Sequence, residues 1–60
     1  MYTKLNKMRK KRGLSLREMG EVINVSPPNY YKKEKGDVSF TLVEAQKIAK
    51  FFKTKVDKIF

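Results

Sequence analysis

From Ser15 to Gly36 the chain reads SLREMGEVINVSPPNYYKKEKG, punctuated so closely that only short helices fit it. Ser15 and Glu18 form an S-x-x-E capping box, in which each side chain satisfies a free backbone N–H at a helix start. Met19 and Ile23 recur at helical spacing and face inward. Asn24 tolerates the left-handed conformation that ends a helix. Ser26 is then a good N-cap, and Pro27 suits the first helical position, where its missing N–H has no partner to lose. Gly36 ends this second segment. Two short helices joined by the three-residue turn Asn24-Val25-Ser26 make a helix-turn-helix. The second proline complicates the start, because Pro28 disfavours helical geometry at Pro27 and would delay the helix to Pro28.

The flanking segments carry the same kind of signal. In TKLNKMRKKRG, Thr3 reads as a cap, Leu5 and Met8 share one face, and Gly13 sits where a helix stops. The outer face of this segment is almost all Lys and Arg. TLVEAQKIAKFF opens with a second capping box, Thr41 and Glu44. Leu42, Ala45, Ile48, Ala49 and Phe52 form an apolar stripe of helical period. KVDKIF adds a short helical turn whose Val56, Ile59 and Phe60 close the core. The expectation is an all-α chain of five short helices, one domain over residues 1–60, with no repeat, linker or separate effector domain.

Composition narrows the function. With no Cys and no His, the chain has no disulfides, thiolate metal sites, Cys–His catalytic pairs or histidine switch. There is no Gly-rich phosphate loop and the acids are scattered, so no enzyme, cofactor, metal or small-molecule ligand is expected. No apolar run is long enough to span a membrane or form a signal-peptide core, which points to the cytoplasm. Fifteen Lys plus Arg against six Asp plus Glu give a net charge of +9. So large a surplus on so small a body favours a polyanionic partner such as nucleic acid. The run KMRKKR would draw phosphates, and binding would weaken steeply with salt, by about 0.9 in the log–log slope for each phosphate neutralised.

LSLREMGEVINVSPPNYYKKEKG (14–36) followed by FTLVEAQKIAKFFKTKVDKIF (40–60) resembles the lambda-repressor-like helix-turn-helix family of phage repressors, Cro proteins and their bacterial relatives. Leu14, the capped second helix, Met19, a small residue at 20, Ile23, the NVS turn, Glu34, Gly36 and the IA…F…VDKIF ending carry the likeness. The resemblance implies a compact five-helix domain that binds double-stranded operator DNA, usually as a dimer, with helix 3 (about 27–35) in the major groove. Base reading then falls to Pro27, Pro28, Asn29 and Lys32. The prolines have no donor and would press on a thymine methyl, whereas Lys32 can donate to guanine O6 and N7 and Asn29 can pair with adenine. Arg9, Arg17, Ser26, Tyr31 and Lys35 are the phosphate candidates, which position the protein without reading sequence. The resemblance also implies a partly buried ion pair between Arg9 and Glu34.

The chain departs from the family pattern at several of these places. Leu16 stands where a DNA-contacting glutamine usually begins helix 2. Gly20 replaces the usual alanine and Tyr30 the usual Ile or Val, so Gly20 is expected to make room for Tyr30. Lys33 falls at an often apolar position, where its stem would line the core edge and its charge would sit in water. Phe51, Ile59 and Phe60 offer apolar surface for a homodimer on a near-palindromic site. The loss of polar groups at Leu16, Pro27 and Pro28 supports an alternative, a helix-turn-helix protein-interaction module of antirepressor or antitoxin type. A membrane-surface peptide fits poorly, because charge surrounds helix 1 too widely. RNA binding also fits poorly, for want of a stacking sheet or KH-type loop.

Overall fold

Five α-helices and no strand make up the computed structural model, which describes residues 1–60: α1 Thr3–Lys11, α2 Leu16–Ile23, α3 Pro27–Lys35, α4 Leu42–Phe51 and α5 Val56–Ile59. Short-range chemistry sets most boundaries. Both capping boxes close in both directions. The Ser15 hydroxyl accepts from the Glu18 N–H at 3.0 Å, and the Glu18 carboxylate accepts from the Ser15 N–H at 2.9 Å. Thr41 and Glu44 repeat the exchange at 3.1 and 2.9 Å. Gly13, Asn24 and Gly36 take the left-handed conformation, with φ of 67°, 60° and 93°.

Two helix starts differ from expectation. Thr3 is the first residue of α1 and not its cap; Tyr2 precedes the helix and gives no side-chain cap. The entry is held by a tertiary bond instead, from the Tyr2 N–H to the Glu34 carbonyl at 3.0 Å. α3 begins at Pro27, one residue earlier than Pro28 would dictate. The Ser26 carbonyl accepts from the Tyr30 N–H at 2.9 Å. Its hydroxyl takes the Asn29 N–H at 3.4 Å. The prolines thus occupy the two positions of the first turn that need no donor.

The core is Leu5, Met19, Ile23, Tyr30, Ile48, Ala49, Phe52 and Ile59. Beside it, Tyr2, Phe40 and Phe60 meet edge-to-face, with ring centroids 5.1–5.4 Å apart. Each such pair adds about 0.5–1.5 kcal/mol beyond area burial. This trio joins the start of the chain, the α3–α4 loop and the end. Leu42 does not belong to the α4 seam: it is 68 % exposed, because nothing covers the first turn of α4 and the seam begins at Ala45.

Candidate nucleic-acid interface

α3 has two unlike faces. Tyr30 and Glu34, four apart, are fully buried. Pro28, Lys32 and Lys35 lie on the side away from them, Asn29 flanks Lys32, and all four are exposed. Pro27, Ser26 and Tyr31 are exposed as well. The Ser26 hydroxyl accepts a bond but keeps its own hydrogen to donate. Lys35 sits 5.1 Å above the Tyr31 ring and 3.2 Å from Asp37. That ion pair is solvent-exposed, and such pairs contribute only about 0–1 kcal/mol. On α2, Arg17 is exposed and makes no ion pair. Leu16 is half-buried against the core.

The buried face holds the helix in place. Glu34 accepts from Arg9 Nε at 2.9 Å, Arg9 Nη2 at 3.2 Å and Asn6 Nδ2 at 2.6 Å. Arg9 Nη1 also reaches the Leu14 carbonyl at 2.9 Å, tying α1 to the entry of α2. Three of the five guanidinium N–H groups are thereby engaged. Burial alone would raise the Glu34 pKa, but the bonds from Arg9 and Asn6 outweigh it and hold the carboxyl below its ordinary range. The Tyr30 hydroxyl is buried close by without a hydrogen bond of good geometry. Its pKa is pushed up, by burial first and then by the neighbouring Glu34 carboxylate.

Other residues sit differently from the sequence reading. The Cβ of an alanine at 20 would meet the Val25 carbonyl oxygen at 2.5 Å, so Gly20 makes room for the turn backbone and not for Tyr30. Lys33 does not put its charge in water. Its ammonium bonds the Ser39 carbonyl at 3.1 Å and Glu44 at 2.9 Å, and lies 5.9 Å over the Phe40 ring. It therefore fastens α3 to the first turn of α4. Burial opposes ionisation of Glu44, but the Thr41 N–H and the Lys33 charge lower its pKa overall. Ile59, expected at a dimer contact, is 1 % exposed and belongs to the core. Phe60 is half-buried between Tyr2 and Phe40. Of that trio only Phe51 is exposed, at 43 %. Asn6 was missed from sequence; its one signal was a place one turn before Arg9.

A capped helix, a tight turn and a second helix fixed on one face and bare on the other define the class of helix-turn-helix nucleic-acid-binding domains. A helix-turn-helix family model matches residues 5–59, and the chain belongs to the lambda-repressor-like helix-turn-helix family of DNA-binding regulators. No curated protein and no solved structure matches the chain. No helix is long and apolar enough to cross a membrane.

Proposed function

We propose that this chain is a sequence-specific regulator of transcription, Cro-like or repressor-like, that lays α3 in the major groove of double-stranded operator DNA. The observation that carries this reading is the division of α3: Tyr30 and Glu34 are fully buried while Pro28, Asn29, Lys32 and Lys35 are bare. In this reading Lys32 and Asn29 meet base edges, and Pro27 and Pro28 are apolar spacers or thymine contacts. Arg17, Ser26, Tyr31, Lys35 and the remaining Arg9 donors take phosphates. Two copies on a near-palindromic site would set their recognition helices about 34 Å apart.

The two lysines of α3 separate the roles. Lys32→Ala is expected to lose about 1 kcal/mol on the preferred duplex and to relax selectivity at one base pair. Lys35→Ala is expected to weaken all duplexes alike and to lower the salt slope by about 0.9. Equal behaviour of the two variants in duplex titrations would count against the assignment.

A protein-interaction module is the second reading. It is favoured by Val38, Leu42 and Val43, exposed by 46 %, 68 % and 59 % around the start of α4. That reading expects the Lys32→Ala/Lys35→Ala double variant to keep its duplex affinity.

A further inference from the structure

We propose a second phosphodiester-binding site, in the open groove where α4 turns into α5. The groove measures about 730 Å³ and is lined by Lys50, Lys53 and Lys55 with the neutral hydrogen-bonding side chains of Gln46 and Thr54. None of the groove's Lys50, Lys53 and Lys55 forms an ion pair; the three pairs in the molecule engage Arg9, Lys33 and Lys35. The only acid between residues 47 and 60 is Asp57. Three lysines without acidic partners thus flank a groove whose wall includes Ala49 and Val56, and their charges suit the phosphates of a nucleic-acid backbone.

Two local rules are broken to make it. Lys47 and Lys50, three apart in the last turns of α4, set like charges side by side, an unfavourable spacing. Lys53 also has φ of 57°, a conformation suited to glycine or asparagine. Bonds from Lys53 N–H to Lys50 O at 3.0 Å and from Thr54 N–H to Ala49 O at 2.9 Å fix that corner. A lysine at a corner that would be more stable as glycine marks a site where charge counts for more than fold stability.

Arg12, at the end of α1, lies 5.1 Å over the Phe52 ring, beside Lys53. The ligand is a phosphodiester backbone, either the flank of the duplex held by α3 or a second duplex.

This proposal extends the operator reading, and its test separates the two. Salt slopes are measured on a duplex of roughly 10 bp, one helical turn, and on one of roughly 30 bp. The groove variant Lys50→Gln/Lys53→Gln is compared with the charge-matched control Lys4→Gln/Lys58→Gln. The groove pair is expected to lower the slope by about 2, at about 0.9 per phosphate lost, and the control by well under half of that. A drop on the long duplex only identifies the flank. A drop on both, with stoichiometry on the short duplex falling from two per protein to one, identifies a second duplex. A groove drop no larger than the control's overturns the proposal, while selectivity lost in Lys32→Ala keeps the α3 reading standing. Lys53→Gly gives a second readout: melting temperature is expected to rise while duplex affinity falls. Unchanged affinity in that variant also contradicts the site.

Discussion

Glu34→Gln is expected to destabilise the fold by about 3 kcal/mol, since breaking a buried ion pair from one side costs roughly 3–5 kcal/mol. For a domain this small, that lowers the melting temperature by roughly 12–24 °C. Glu34 is fully buried and its two oxygens receive three donors from Arg9 and Asn6. Glutamine keeps the shape but removes the charge and presents an amide N–H₂ to a guanidinium. Arg9 is left with a side chain only 12 % exposed and part of its bonding to residue 34 gone. Melting curves at neutral pH check this, and a loss of a few tenths of a kcal/mol would argue that the pair is only decoration. The pH dependence follows with a definite sign. A carboxyl whose folded pKa lies below its ordinary 4.5 contributes stability that is complete above that value and lost as pH falls through the folded pKa. The native protein should therefore melt at a constant temperature above that range and progressively lower below it. Glu34→Gln should show a shallower acid limb, retaining the part due to Glu44, whose pKa is lowered as well.

Gly20→Ala is expected to destabilise by about 1 kcal/mol net, against the sign that helix propensity predicts. Alanine gains about 1 kcal/mol over glycine within a helix. The added Cβ, however, lies 2.5 Å from the Val25 carbonyl oxygen and 3.5 Å from its carbon. These are backbone atoms of the turn, not a flexible side-chain tip. Val25 is also held there by its own N–H, bonded to the Gly20 carbonyl at 2.9 Å. Relief requires the turn to lift, which re-aims α3. Overpacking of this kind costs typically 1–3 kcal/mol, and here it falls on the joint between the two helices of the motif. Duplex affinity should drop together with the melting temperature. A melting temperature that rises by the propensity gain would show that the turn yields freely.

The parts of the fold legible in the sequence were those written in neighbouring residues. Both capping boxes, the left-handed Asn24 and the glycines that end α1 and α3 depend on groups within one turn of each other. Periodicity showed which face of α4 was apolar but not that the first turn lacks a cover, so Leu42 was misplaced. The Lys33 ammonium was legible only once the α3–α4 loop had brought Ser39 and Glu44 to it. Tyr2, Phe40 and Phe60 come from three separate segments, and no local pattern announces their meeting. The expected pairing of Arg9 with Glu34 came from family resemblance; spacing alone would have left both on the surface. Gly20 was recognised as a place for a small residue, but its neighbour was misread, because a turn backbone leaves no trace in side-chain patterning.

Selection of bound sequences from random duplex DNA at moderate salt tests the operator reading most directly. The result predicted is a near-palindromic consensus with half-sites about 10 bp apart, each including a guanine that Lys32→Ala no longer selects. Binding that falls with salt yet enriches no sequence would contradict it, and would leave α3 as a basic surface that holds the backbone without reading it.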